Sequence, residues 1–521
     1  MGTDRRGIDR AGKDGTGKAR MRNRMRLSWL VVIGGVALSA MSWGEDSGVA
    51  SSKIPTDRLQ QYSDLAVRWM QEYLRVDTTN PPGHEMRAVE FYKKILDEEG
   101  IENRVFEYAP GRGDLWARLP ATADEKENPT LRQAQGRLSA AKGGAEMGHP
   151  RPIILLNHMD VVTSDATHWK VPPFSGEIRD GYIWGRGAQD MKDEGLAQLV
   201  VMVMLKREKV ALDRDVIFLA VADEEVDDTG TEWFIAHQRD LLENAEFLIN
   251  EGGENLLENS KVKYVGIDVG EKTTYWLHVV AHGRPGHGSR PNPDSAPNRL
   301  VRALNRILAY QTPLRVLPVV DEFLRDMAPS EPPERAAEYR NIKKAIQDKK
   351  FQEEVEKDES LNFLLRDTIS LTMMGGSEQT NVIPPEAWAN LDVRILPGGD
   401  PKAVLEAVRR AVNDQNVTVE PWKGEFRVAN YSGTDNALFA TIRAVSGKYF
   451  PGTAVVPHIT SGYTENQIYR PLGIVAYGFN PYTATDEEGN TEHGNDERIR
   501  VEEVRRGPRI LFDVVAGVAG R

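Results

Sequence analysis

The chain has 521 residues, 40% of them apolar and 28% charged, with a net charge of −12 and no cysteine. That length suits two domains plus a targeting segment. The acidic balance argues against a general nucleic-acid binder, and the lack of cysteine removes disulfides, thiolate metal sites and a cysteine nucleophile, so any metal ligands must come from His, Asp and Glu.

Residues 1–26 are rich in Arg and Lys. Leu27–Met41 then reads LSWLVVIGGVALSAM, and Ser42 and Gly44 precede Glu45. A basic start, a short apolar run and small residues at its exit describe a secretory signal. The run is short for a membrane span, which takes roughly 20 apolar residues. The expectation is an exported protein, periplasmic or secreted, with residues 1–44 as a signal peptide or an uncleaved N-terminal anchor. Residues 45–55 read as a flexible linker. Helical periodicity starts at Thr56 and runs through LAVRWMQEYL until the paired prolines of DTTNPPGHE break it. Residues 86–99 read as a second amphipathic helix, with short strands near Arg104–Tyr108 and Leu115–Leu119. Residues 121–150 lack an apolar period and read as a surface insertion.

PIILLN (152–157) reads as a buried strand ending at His158. A helix over about 192–206 precedes a strand at Val216–Ala222. A helix near 231–242 precedes a strand at Phe247–Ile249. This alternation implies an α/β domain with a mostly parallel sheet, where sites gather at the carboxyl ends of strands. From about Thr273 the order becomes strand, helix, a long charged helical stretch near 333–358, two strands and another helix. It suggests an inserted α+β domain. After residue 422 the α/β pattern resumes with GIVAYGF and ends in a helix at Val501–Val518. The expected division is a catalytic domain over 55–271 and 422–521, interrupted by a second domain over 272–421.

The chemistry lies in the segments LLNHMDVV, WGRGAQDMKDEG, LAVADEEVDDTG, LINEGGEN and EHGNDERI. Hard or borderline divalent ions take imidazole nitrogen and carboxylate oxygen. His158, Asp190, Glu225, Glu251 and His493 are therefore the candidate ligands. Two neighbouring ions need a bridging carboxylate, and Asp190, in a glycine-rich turn, is the candidate. Asp160 lies two residues beyond His158 and can orient its imidazole. Glu224 and Glu225, adjacent on an extended segment, would point to opposite sides. One can then bind metal while Glu224 serves as general base. Asp227 and Asp228 read as solvated loop charges, and GRGAQD lacks the Lys-Ser/Thr of a phosphate loop.

These segments resemble the dinuclear zinc hydrolases of peptidase family M20, which include glutamate carboxypeptidase, aminoacylase and carnosinase. The resemblance spans about residues 56–518. The length and the helical stretch over 313–368 resemble the carboxypeptidase S and N-fatty-acyl-amino-acid hydrolase branch. It implies a zinc-exopeptidase α/β catalytic domain with an inserted lid or dimerisation domain. It also implies two divalent ions, zinc by default with manganese or cobalt as substitutes. One ion would take His158, Asp190 and Glu251, and the other Asp190, Glu225 and His493. Some branches carry Asp where this chain has Asn250; an amide is a poor ligand for such ions, which favours Glu251. In the inserted domain, His287 in GRPGHGSRP resembles a histidine that reaches a partner subunit's site to stabilise the oxyanion. Asn381 in TNVIP and Arg394 in LDVRIL resemble groups that hold a substrate carboxylate. SGYTENQIY has Thr464-Glu465 where the family usually has Thr-Asp. The remaining histidines (His84, His149, His168, His237, His278, His282 and His458) are read as structural or surface groups.

The implied function is hydrolysis of a peptide or amide bond next to a free carboxylate, as a carboxypeptidase or dipeptidase, on small peptides or N-acyl amino acids. An N-acyl-amino-acid amidohydrolase is the rival reading. A catalytically silent metal-bound scaffold is the alternative from another class, and the intact Glu224 speaks against it. A homodimer through the lid domain is expected.

Overall fold

A computed structural model describes residues 49–122, 150–242, 244–422, 427–460 and 462–520. The expected signal or anchor and nearly all of the 121–150 insertion lie outside the described residues.

A nine-stranded sheet forms the frame. Its spatial order is Glu102–Ala109, Arg112–Leu119, Val216–Val221, Ile153–His158, Phe247–Asn250, Val475–Gly478, Lys261–Glu271 and Ala454–Thr460, with Asn255–Glu258 folded back onto Lys261–Glu271. The four central strands pair in parallel, while the first two form an antiparallel hairpin. Every residue of IILLNH and of VIFLAV is buried. That is how a parallel strand covered on both faces reads in sequence: an unbroken apolar run rather than an alternation.

The helix Lys192–Arg207 lies on this sheet beneath the helices Thr56–Leu74 and Val501–Ala519 and is buried along almost its whole length. Gly195 permits the close approach. A Cβ there would stand 2.5 Å from the Tyr92 hydroxyl and 2.9 Å from Asn157 Oδ1. The opposite face is covered by a smaller core that includes Trp116, Ile154, Leu219, Phe234 and Leu248.

A second, antiparallel sheet runs Thr273–Thr274, Glu386–Ile395, Leu277–His282 and Val417–Pro421, with Thr368–Gly375 along the other side of Glu386–Ile395. The helices Ala296–Ala309 and Pro401–Val412 cover one face and share its core.

Two features depart from expectation. The helices between Pro318 and Leu365 fall between strands of the second sheet in sequence, yet Val320, Leu324, Ile342, Phe351, Val355 and Leu365 belong to the core of the large sheet. Phe323 meets Tyr264 edge-on there. The charged stretch carries an apolar stripe, and that stripe buries against the outer strands Lys261–Glu271 and Ala454–Thr460. The second departure is the linker. Ala50–Lys53 forms a 3-10 turn fastened to the C-terminal helix. Ser51 donates its N–H (2.6 Å) and hydroxyl (2.7 Å) to the buried carboxylate of Asp513. Short polar residues conceal such an anchor because it has no apolar period.

Candidate metal centre

Three parallel strands end at one place. Ile153–His158 delivers His158, Val216–Val221 leads into Glu224 and Glu225, and Phe247–Asn250 leads into Glu251. This is the carboxyl edge of the sheet, where ligand sites of open α/β sheets form. Asp190 comes from the turn before the buried helix Lys192–Arg207, and His493 from the loop before the C-terminal helix.

Asp190 stands between the two imidazoles. Its Oδ1 is 3.0 Å from His158 Nε2 and its Oδ2 is 2.7 Å from His493 Nε2. Glu251 Oε2 is 3.3 Å from His158 Nε2, and Glu225 Oε2 is 3.3 Å from His493 Nε2. Two triads result, His158–Asp190–Glu251 and Asp190–Glu225–His493, each with its donor atoms within 4.8 Å of one another. His158 is fully buried, whereas the His493 side chain is 52% exposed and marks the open side.

These residues fit a pair of divalent cations. Donors about 2.0–2.2 Å from a tetrahedral ion stand roughly 3.3–3.6 Å apart, which the Glu251–His158 and Glu225–His493 spacings of 3.3 Å match and the Asp190 spacings approach from below. The donors are imidazole nitrogen and carboxylate oxygen only, the set that zinc and its first-row neighbours accept. Glu225 Oε1 is buried without a hydrogen-bond partner among the described residues. The electrostatics agree. Burial, then the charge of Glu251, push the Glu224 carboxyl well above its ordinary range. Burial pushes Glu251 up to about 7, against the pull of His158. Hydrogen bonds from His493 to Asp190 and Glu225 raise its imidazole to about 10. Burial disfavours the charged His158, but Glu251, Asp160 and Asp190 outweigh it and raise that imidazole as well. A pocket that drives both histidines toward the cationic form is a pocket built for positive charge.

Buried carboxylates hold the loops that carry the ligands. Asp160 accepts backbone N–H groups from Asp223 (3.1 Å), Glu224 (3.2 Å) and Glu225 (3.2 Å). Toward His158 Nδ1 its backbone carbonyl stands at 3.0 Å and its carboxylate at 3.5 Å, so both face the imidazole that it is expected to orient. Glu497 accepts from Gly187 N (3.0 Å) and Gln189 N (2.8 Å) and pairs with Arg186 at 2.5 Å, which fixes the turn before Asp190. Asp268 accepts from Gly253 N at 2.8 Å, two residues beyond Glu251. Glu497 and Asp268 were missed as site residues. The signals are an acid four residues after His493 and a carboxylate within the apolar run VGIDVG.

Two expectations need correction, the extended segment at Glu224–Glu225 and the solvated Asp228. Glu224 and Glu225 do not lie on an extended segment. Asp223 adopts a left-handed conformation, φ +75°, and the pair sits in the turn that follows. Asp228 is no solvated charge: it is buried and meets Arg427 (2.5 Å) and the Tyr463 hydroxyl (2.8 Å). Glu251 rather than Asn250 faces His158, and Asn250 is buried at the end of its strand. Thr464 and Glu465 are buried, Thr464 donating to Glu271 and Glu465 accepting from Thr231.

Arg394 lies in the second sheet, and His287 and Asn381 lie in and beside a separate two-stranded pairing of Gly286–His287 with Val382–Ile383. His287 is exposed, with Nδ1 held by Ser289. Asn381 lies opposite Gly288 at the end of this antiparallel pairing, its carbonyl accepting from Gly288 N at 2.8 Å. Arg394 is engaged by Asp392 through Nε–Oδ1 at 2.8 Å and Nη2–Oδ2 at 3.2 Å.

Comparison with known proteins agrees with this geometry. Residues 154–516, well over half of the chain, match Peptidase family M20/M25/M40. The human N-fatty-acyl-amino acid synthase/hydrolase PM20D1 is 28% identical over 373 residues, covering 70% of this chain and 74% of that protein. Human aminoacylase-1 is 26% identical over 460 residues, covering 87% of this chain and 95% of that protein. Among solved structures, human carnosine dipeptidase 1 superposes with a TM-score of 0.61 at 15% identity, covering 89% of this chain and 98% of its own. The M20 metallo-carboxypeptidase Sso-CP2 of Sulfolobus solfataricus gives 0.59 at 18% identity, covering 87% and 98%. These two likenesses concern the fold. The extent of the family match carries the assignment: the chain belongs to peptidase family M20/M25/M40 and is a metal-dependent hydrolase of that family.

Proposed function

We propose that this protein hydrolyses the amide bond next to a free carboxylate in a small peptide or an N-acyl amino acid, with Glu224 as general base. The observation that carries this reading is Asp190, whose two carboxylate oxygens each face one imidazole. Two divalent ions, when bound, supply Lewis acidity toward the scissile carbonyl and a more acidic water. His158, Asp190 and Glu251 would hold one ion, and Asp190, Glu225 and His493 the other. Zinc is the ion we assign, with manganese or cobalt as substitutes. Glu224 belongs to neither triad and is free to take the proton of the attacking water and pass it to the leaving nitrogen.

Arg394 would hold the substrate carboxylate, with Asn381 beside it. Its fork is already set for a carboxylate, that of Asp392, which the substrate would displace. His287 would serve the active site of a second subunit. The strand Thr368–Gly375 supports a dimer, because it is an edge of the second sheet with Met373 and Met374 exposed. The basic N-terminus followed by LSWLVVIGGVALSAM supports export. The similarity to human aminoacylase-1 over 87% of the chain favours N-acyl amino acids over dipeptides.

The test is release of free amino acid from a panel of dipeptides and N-acyl amino acids, after chelation and again with zinc, manganese or cobalt restored. Zinc-dependent turnover, fastest on N-acyl amino acids, is expected. Faster turnover of dipeptides would move the assignment to peptidase, and no turnover with any of the three metals would contradict a hydrolase of this substrate class.

A further inference from the structure

The segment Asn80–Glu85, NPPGHE, supplies none of the ligands, yet it wraps a guanidinium that reaches the catalytic turn. Arg112, at the start of the strand Arg112–Leu119, places Nη2 2.9 Å from Glu85 Oε1 and Nε 3.2 Å from Oε2. The same Nη2 stands 2.5 Å from Asp223 Oδ1. Gly83 lies flat against this group: it has φ +79°, and a Cβ there would stand 2.7 Å from Arg112 Cζ. Asn80 donates from Nδ2 to Asp223 Oδ1 at 2.7 Å and to Asp160 Oδ2 at 2.8 Å. Glu85 and Asp223 are both buried.

Asp223 is the residue all of this encloses. Its left-handed backbone, φ +75°, is uncommon for a residue with a Cβ and persists only where its surroundings impose it. Its carbonyl accepts the N–H groups of Asp227 and Asp228, closing the turn that carries Glu224 and Glu225. Asp160 holds this turn by its N–H groups, while Arg112 and Asn80 hold it by the Asp223 side chain.

We propose that Arg112 is a positioning residue for hydrolysis: clamped by Glu85 against Gly83, it fixes Asp223 and thereby sets where Glu224 and Glu225 stand. Arginine suits the task because one planar group grips two carboxylates at once, which an ammonium does not reproduce. The inference rests on Glu224 as base and Glu225 as ligand.

The test compares Arg112→Met, Arg112→Lys and the pair Glu85→Gln/Arg112→Met, which leaves no unmatched buried charge at position 85, in the full chain. Zinc titration of the apo-protein is read beside kcat and KM of the zinc-loaded enzyme. The affinity of one zinc should fall about 10–100-fold, the size of effect typical for groups behind metal ligands, while the other zinc is unaffected. kcat should fall with KM unchanged, and Arg112→Lys should recover only part of the loss. Unchanged zinc affinities and kcat would overturn the inference. So would a loss shared equally by both ions with a matching drop in the apo-protein Tm, up to failure to fold, which would assign Arg112 to general stability. Zinc affinity decides the matter even if Glu224→Gln retains full turnover, a result that would remove the base assignment and leave Arg112 acting on Glu225 alone.

Discussion

At the scale of single residues, the site turns on which atoms face which ion. Glu251 Oε2 faces His158, while both side-chain atoms of Asn250 lie buried without partners among the described residues. Glu251→Gln should therefore cost one bound ion, and Asn250→Ala should leave metal content intact, as metal analysis of dialysed protein would read. Asp190→Asn should cost both ions, because the two triads share that carboxylate. The reverse pattern for Glu251 and Asn250 would overturn the ligand assignment. The candidate ligands could be picked out in sequence because coordination chemistry restricts residue type, and most of them follow a strand or a glycine-rich turn. What surrounds them could not be. Asp228 looked like one more solvated acid, and only folding brings Arg427 to it from 199 residues away. The ADEE turn looked extended because a left-handed aspartate leaves no mark in a sequence.

At the scale of elements, three of the ligand-bearing loops are fastened by a buried carboxylate from another segment: Asp160 for Asp223–Glu225, Glu497 for Gly187–Gln189, and Asp268 for Gly253. A loop without regular pairing must satisfy its inward N–H groups by turn carbonyls, side chains or water, and here buried carboxylates do much of it. Asp160→Ala leaves three backbone donors without their acceptor, and each unsatisfied buried donor costs about 1–3 kcal/mol. We expect a clear fall in apo-protein Tm together with a roughly 10–100-fold weaker metal affinity. Retention of both would show that the turn holds itself. The strand–helix alternation of the large sheet could be read from its apolar runs. The destination of the helices Pro318–Leu365 could not, because an amphipathic stripe records that a face is buried and not which sheet buries it.

At the scale of the whole molecule, those helices lean on the site through one histidine. His458 lies in the strand Ala454–Thr460 with Phe323 and Phe363 against its ring, and Asp268 stands 2.6 Å from its Nδ1. Burial alone would lower the imidazole, but Asp268, with help from Glu254, outweighs burial and raises it above the ordinary histidine range. A raised folded value means stabilisation that is complete below the unfolded value, about 6.5, and is lost as pH rises through the folded one. The Tm of the parent should therefore fall relative to His458→Gln on going alkaline from that value. Parallel pH profiles would remove the charged pair from the account. The measurement that bears most directly on the central claim is turnover and metal content of Glu224→Gln beside the parent. Both ions retained with turnover reduced by about 100-fold or more, the scale of general acid–base catalysis, is the predicted result. Full activity would contradict Glu224 as the base, and loss of an ion would place it among the ligands.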